Sequence, residues 1–220
     1  AHYDVLAQVG VPLVVVNGPH DDLDATFVST DVERAIDLSL AHLRALGHRY
    51  IGLAIGDEPT WPVNRKVEAF RARQVALGVK TPEIAYTTSS SAGGFEAAVE
   101  LIRRRVTAII CGSDAMAAGA IDGAHSLGAS VPGDVSVIGH DDVNWADLTA
   151  PPLTTVRQNV PHMAQSAVRA LLSAGEGSRR PRRTELLVRP QLIVRGTTTA
   201  APRTATDRTH GQSPRPGPTR

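Results

Sequence analysis

Cysteine is nearly missing from this 220-residue chain; Cys111 stands alone. A single thiol cannot build an internal disulfide framework, and it fits a reducing cytoplasm. Long apolar runs are missing too. Val11–Val16 has the length of a strand, not of a membrane span. The opening AHYDVLAQVG has neither a Met nor a basic n-region, so no secretory signal is read there. No internal repeat is visible. The eight histidines form no HExxH or other close ligand spacing, so no metal is expected. Gly93-Gly94 and GSDAMAAGA make neither a GxGxxG turn nor a Walker loop, and no cofactor is expected. No serine sits in a GxSxG elbow, and no spacing pairs a nucleophile with a base, so an enzyme is not the expectation.

What is present is the composition of a soluble globular protein, 42% hydrophobic and 20% charged, long enough to bury a substantial core. The net charge of +1 hides an asymmetry. Residues 1–178 carry 13 Lys/Arg against 20 Asp/Glu, a net of −7; residues 179–220 carry 10 Arg against 2 acids, a net of +8. An acidic body does not grip a phosphate backbone, which needs a basic face. Four of the arginines flank Pro181 in Arg179–Arg183. That run reads as a solvated loop, with a nucleic-acid contact as the alternative.

Strand and helix signals alternate along the chain. Val11–Val16 is a β-branched run of the kind buried on both faces of a parallel sheet. Asp31 to Leu46 is an amphipathic helix, with Thr30 or Asp31 as N-cap and Gly47 as its left-handed stop. Strands are expected at Tyr50–Ile55, Ile84–Tyr86, Ala108–Cys111 and Val135–Ile138. Helices are expected at Asn64–Leu77, Gly93–Arg105 and Ala115–Leu127. An extended run, Leu153–Arg157, precedes a helix at His162–Leu172 and a last strand or hairpin at Glu185–Val194. This rhythm predicts a doubly wound α/β fold. From Thr197 onward no aliphatic residue is larger than Ala, and 197–220 reads as a disordered tail.

In an open parallel sheet, ligands bind beyond the carboxyl ends of the strands. Two such ends carry polar groups: Gly112-Ser113-Asp114 after Cys111, and Gly139-His140-Asp141-Asp142 after Ile138. Ser113 or Asp114 can cap the next helix, a structural duty. For Asp141 and Asp142 a ligand is favoured, because no clear helix follows them. One of two neighbouring carboxylates must turn away; the other can accept from the hydroxyls of a polyol or from an amine. Arg65 and Lys66 oppose the dipole of the helix they open, so a ligand or an acidic neighbour must hold them there, unless they are a solvated pair. Trp61 and Trp145 lie in expected loops; either can stack on a sugar, lid a core or anchor an interface. Gln158 follows a strand and precedes Pro161, a hinge position.

With these residues in view, the chain resembles the effector-binding domain of the LacI/GalR family of bacterial transcription regulators. The resemblance rests on Val11-Pro12-Leu13-Val14-Val15-Val16-Asn17, on the helix end His42-Leu43 to Leu46-Gly47-His48-Arg49, and on Cys111-Gly112-Ser113-Asp114-Ala115-Met116-Ala117. It continues through Val131-Pro132, Asp134 to Asp142, and Pro152-Leu153-Thr154-Thr155-Val156-Arg157-Gln158. The resemblance covers about residues 1–198, all but the tail. The resemblance implies a periplasmic-binding-protein-like type I α/β fold: two doubly wound parallel-sheet lobes, crossed three times, near Val28–Asp31, Val156–Val160 and Arg182–Leu186. Residues 1–29 would be the remnant of an incomplete N-terminal lobe, to which 158–182 returns. Residues 30–157 with 183–196 would form the C-terminal effector lobe.

By the same resemblance, a small sugar-like effector would sit in the cleft, with Asp141 binding its hydroxyl or amine groups. Ser113 stands where the family often has Asn, and Asn17 where Asp is common; Gln158 is kept. Lys66, beside Arg65, replaces the cleft arginine and cannot give its planar two-pronged contact. Ser89 falls where a stacking aromatic is frequent, and His140 replaces a Phe, which could add pH sensitivity. A homodimer would use the Ala115–Leu127 helix and the Trp145 loop. Operator DNA would be read by an N-terminal headpiece absent from this chain. A chain lacking it, and the first units of its lobe, is expected not to bind DNA and to be poorly stable. No membrane contact is expected. The alternative is the solute-binding receptor of a sugar transporter; a hydrolase or isomerase using Asp141 and Asp142 is a distant third.

Overall fold

The computed structural model of the chain describes residues 12–18, 23, 25–175 and 184–202. Its strands fall into two sheets. The smaller holds β1 (Val14–Val16), β2 (Thr26–Thr30) and β8 (Thr184–Val188), in the order β1-β2-β8 and all parallel. The larger holds β3 (Ile51–Gly56), β4 (Glu83–Thr87), β5 (Ala108–Cys111), β6 (Ser136–Asp141), β7 (Thr155–Arg157) and β9 (Gln191–Ile193). Its order is β4-β3-β5-β6-β7-β9, parallel except for β9.

Among the described residues five helices cover these sheets: α1 (Val32–Ala45), α2 (Trp61–Ala76), α3 (Ser91–Arg103), α4 (Asp114–Ser126) and α5 (Val160–Gly175). The large sheet is wound on both faces, and its strands read as continuous apolar runs for that reason. Ile51, Leu53 and Ile55 of β3 point with Ala108 and Ile110 of β5 into one core, with α1 and α2. Ala54, Ile109, Cys111 and Val137 point the other way, against α3 and α4. Asp31 caps α1, its carboxylate accepting from Arg34 N at 2.9 Å, and Gly47 turns the chain at φ +89°. On the small sheet, Met163 and Ala167 of α5 pack on Val14, Val28 and Val188. Among the described residues no helix is long and apolar enough to cross a membrane.

Four expectations are corrected. The small sheet holds more than residues 1–29 and 158–182, since β8, expected in the C-terminal lobe, pairs with β2. The Glu185–Val194 run is not one strand or hairpin: β8 pairs with β2, while β9 pairs with β7 in the other sheet. The third crossing therefore lies at Arg189–Pro190, past the expected 182–186, where Pro190 has no N–H to continue the ladder. The tail does not begin at Thr197. That residue is fully buried, exchanging hydrogen bonds with Val137 (2.8 and 2.7 Å) and accepting from Thr154 N, while Ala201 N donates to Leu46 O at 2.8 Å. Threonine hydroxyls here satisfy backbone groups of the large sheet, a duty that composition does not reveal. Residues 203–220 and Arg179–Arg183 lie outside the described residues.

Helices α3 and α4 approach so closely that a Cβ on Gly119 would sit 1.8 Å from Ser91 O, and one on Gly94 2.0 Å from Met116 O. Backbone is the obstacle in both cases, so it cannot swing aside. Gly119→Ala is expected to lose about 1–3 kcal/mol from overpacking, more than the ~1 kcal/mol that alanine gains in helix propensity. A calorimetric melt of the variant that matches or exceeds the parent would show that the helices separate without penalty.

Candidate functional site

The carboxyl ends of β3, β5 and β6 open toward the small sheet, and a cavity of about 240 Å³ lies between them. Six of the seven residues singled out by sequence line it: Asp141, Ser113, Lys66, Asn17, Gln158 and Ser89. Arg65 does not. Its guanidinium is half-exposed and pairs with Glu33 of α1 and, at 3.7 Å, with Glu68. The two neighbouring cations thus have different reasons for opposing the helix dipole: an acidic neighbour for Arg65, the cavity for Lys66.

Lys66 is buried one turn into α2, and its Nζ donates to Gly112 O at 2.9 Å. Burial pushes the ammonium down to about 8, against the pull of Asp141 and Asp114. Two of its three donors remain for other acceptors. Ser113 is the N-cap of α4, its Oγ accepting from Met116 N at 3.2 Å, which leaves its proton free to donate. Asp114 is therefore not the cap. It lies fully buried, with Oδ1 accepting from Thr155 Oγ1 (2.5 Å) and Oδ2 from Val143 N (2.9 Å).

The two adjacent acids diverge. Asp141 faces the cavity and accepts from Gln158 Nε2 at 2.6 Å. Burial raises its carboxyl above the ordinary range, with the Gln158 hydrogen bond and Lys66 holding it back. Asp142 turns away and accepts from Arg157 Nε and Arg195 Nη2, each at 2.6 Å. Burial alone would raise it, but those hydrogen bonds and charges outweigh burial and hold it below the usual carboxylate value. Both residues have positive φ, +119° and +56°, in a region that is strained for non-glycine residues. His140 also lines the cavity, yet burial first and Lys66 second hold its imidazole well below 6.5. Burial thus favours its neutral form, which works against the pH sensitivity expected of a histidine here.

Other residues complete the cavity lining. Trp61 is the first residue of α2, not a loop residue, and forms a wall with Pro62 and Val63. Gly18 rests on its ring: a Cβ there would meet Trp61 Cβ at 2.9 Å, and φ is +128°. Ser29 and Thr30 contribute from β2, and Ser29 Oγ is buried without a partner among the described residues. Nothing in the pattern TFVST marks these hydroxyls. Ser89 sits at the mouth, donating to Glu58 Oε2 at 2.8 Å, and Trp145 lies outside the cavity with its ring partly exposed.

Two parallel-sheet units joined by three crossings, with a polar cavity at facing strand ends, define the periplasmic-binding-protein-like class of α/β folds. Residues 40–198 match the model of the periplasmic binding protein-like domain, and the chain belongs to that family. It is 44% identical to the HTH-type transcriptional regulator MalR of Streptomyces coelicolor, over 91% of this chain and 60% of that protein. It is similar in structure to a LacI family transcriptional regulator from Enterococcus faecium with bound ribose. That match has a TM-score of 0.81 and 25% identity, covering 90% of this chain and 75% of the other. A third likeness is to the transcriptional regulator CelR in complex with cellobiose, with a TM-score of 0.79 and 26% identity over 89% and 61%. The chain spans about 60% of the length of the MalR relative.

Asp114 offers a test by pH. Burial, against the Thr155 and Val143 hydrogen bonds, raises its carboxyl to about 6 from 3.8. The folded state therefore holds a proton that the unfolded chain releases. Stability from this group is present at low pH and is lost as pH climbs from about 4 through 6. Asp114→Asn keeps a neutral side chain at every pH, so its melting temperature relative to the parent should improve between pH 4.5 and 7. A deficit at pH 7 equal to or larger than that at pH 4.5 would mean the ionised form is the one Thr155 and Val143 hold.

Proposed function

We propose that this chain is the effector-sensing part of a LacI-type DNA-binding transcriptional regulator, and that the cavity takes a sugar or a related polyol. The observation that carries the reading is the meeting, in one cavity between two sheets, of the Asp141 carboxylate, the buried Lys66 ammonium and the Ser113 hydroxyl. Carboxylate acceptors and ammonium donors read vicinal hydroxyls, and the Trp61–Pro62–Val63 wall suits the apolar face of a pyranose or furanose ring. The similarity to regulators whose structures hold ribose and cellobiose supports the same ligand class. The HTH-type relatives support a regulator over the alternative, the receptor of a sugar transporter. In this reading the protein is a cytoplasmic sensor and not a catalyst, and operator DNA is contacted by a headpiece outside these residues.

Ligand-biased closure of the two lobes would act on DNA through a homodimer. The face formed by α3, α4 and the loop after β6 supports the dimer. Phe95 and Trp145 are each more than a third exposed there, and Leu148 is 79% exposed. Exposed aromatic and aliphatic side chains on one face are what a buried interface centre uses. Leu148→Glu is expected to shift the protein from dimer to monomer in analytical ultracentrifugation. A dimer of unchanged affinity would place the interface elsewhere.

Ligand binding is tested by a thermal-shift screen with D-ribose, D-glucose, maltose and cellobiose. At a hundredfold excess over Kd, binding adds about 2.7 kcal/mol, a rise of roughly 5–10 °C for a chain of this size. Asp141→Ala should remove the shift while leaving a cooperative melt. A shift that survives Asp141→Ala would move the ligand away from this carboxylate, and no shift with any of the four would sink the sugar reading.

A further inference from the structure

Three elements that sequence separates widely meet at Gln158. Its side-chain amide bridges Thr30, the last residue of β2, and Asp141, the last residue of β6. Thr30 Oγ1 donates to Gln158 Oε1 at 2.6 Å, and Gln158 Nε2 donates to Asp141 Oδ1 at 2.6 Å. Thr30 is buried at 3% exposure. It stands at the first crossing between the sheets and Gln158 at the second, whereas Asp141 lines the cavity.

An amide has one acceptor end and one donor end, so what it meets on one side dictates what it offers on the other. The Thr30 proton claims Oε1, which turns Nε2 toward the carboxylate. The flipped amide would set Oε1 against an ionised Asp141, two acceptors with no proton between them. That arrangement is tolerated only if Asp141 takes up a proton. The relay then runs backwards: Asp141 O–H donates to Oε1, Nε2 donates to Thr30 Oγ1, and the Thr30 proton turns to Met163 Sδ, 3.4 Å away on α5. One proton enters at Asp141, and each later link only changes direction. Sulfur is a weak acceptor, so the forward direction is the stable one while Asp141 is charged.

We propose that Thr30 is a positioning residue: through the Gln158 amide it holds Asp141 ready to accept from a ligand, and it ties occupancy of the cavity to two of the three crossings. Other groups facing Asp141 are Lys66 of α2, Asp114 of α4 and neutral His140 on its own strand. Asp142 is neutralised by Arg157 and Arg195. None of them reaches the crossings through an amide. The hydrogen bond from Gln158 is among the influences that lower the Asp141 carboxyl against burial, so breaking the relay should move its titration to higher pH. The significance for sensing rests on the proposed function; the titration does not, so the two can fail separately.

The experiment is a carboxyl ¹³C NMR titration of Asp141 in the full chain, assigned with Asp141→Asn. It is paired with calorimetric binding of whichever of D-ribose, D-glucose, maltose and cellobiose stabilises the parent. Thr30→Val keeps the shape and removes the proton donor. It should raise the Asp141 titration and weaken binding at pH 7 about tenfold, the scale of one hydrogen bond to a charged group. Thr30→Ser should restore both. Gln158→Leu should raise the titration as Thr30→Val does, which keeps the question open to decision if the valine variant fails to fold. A Thr30→Val protein that melts lower but titrates and binds as the parent does would reduce Thr30 to packing and overturn the inference. If no sugar binds the parent, the sugar reading falls, and the titration alone decides the relay.

Discussion

Asp114 begins α4, and its buried carboxylate fastens three pieces of chain to one another. One oxygen takes the hydroxyl of Thr155 on β7; the other takes the backbone N–H of Val143, just beyond β6. Gly139 on β6 leaves room for it, since a Cβ there would lie 2.2 Å from Asp114 Oδ1. The end of β6 is thereby pinned on both sides: Val143 by Asp114, and Asp142 by Arg157 and Arg195. Beside those pins Asp141 and Asp142 are held at positive φ, a conformation that costs of order 1–3 kcal/mol and persists only where surroundings over-determine it. Asp141 is presented to the cavity because its neighbours cannot relax.

Charge in the cavity follows from the same burial. Each of Lys66, Asp141 and Asp114 is displaced toward its neutral form by desolvation and pulled back by partners. The groups are near enough to moderate one another, but the Lys66 ammonium spends its one protein hydrogen bond on Gly112 O. Such an arrangement keeps donors and acceptors unspent. A pair locked in a two-pronged salt bridge would have to be broken by each ligand, whereas a lysine offers a movable point charge. Lys66 thus offers adaptability where an arginine would offer planar recognition.

Much of the large sheet was legible in the sequence because burial on both faces writes continuous apolar runs, and because Gly47, Gly78 and Gly128 stop helices at positive φ. The site was legible where strand ends carry acids and glycines, as in Gly139-His140-Asp141-Asp142. What was not legible has specific causes. Thr26–Thr30 is a strand, but its polar TFVST pattern does not alternate as a half-buried strand should. The β8–β9 run divides between sheets at Pro190, and a local pattern cannot say which sheet a strand joins. Thr197 to Ala201 looks like tail by composition and is structure by hydrogen bonding. Arg65 and Lys66 are adjacent and chemically alike; only the helix face separates an ion pair from a cavity lining. Relays such as Thr30–Gln158–Asp141 join residues 128 and 17 positions apart, beyond the reach of any spacing rule.

Because the cavity draws Asn17, Ser29 and Thr30 from the small sheet and Lys66, Ser113 and Asp141 from the large one, no single sheet completes it. A ligand biases a two-state equilibrium only by its differential affinity for the two states. In the proposed function, a small polyol touching both walls would satisfy groups on each in a closed form and lose one set if the lobes part. The hydroxyl of Ser29, buried without a partner among the described residues, would make that difference larger, since an unpaired buried polar group carries a penalty of about 1–3 kcal/mol. The crossings are tied to one another by hydrogen bonds. Asp31 N donates to Val188 O at 2.9 Å, joining the first to the third, and Thr30 donates to Gln158, joining the first to the second. In the proposed function, segments knitted at one level would bend together, so that what a ligand gains at the strand ends would be delivered as a single movement of one sheet against the other.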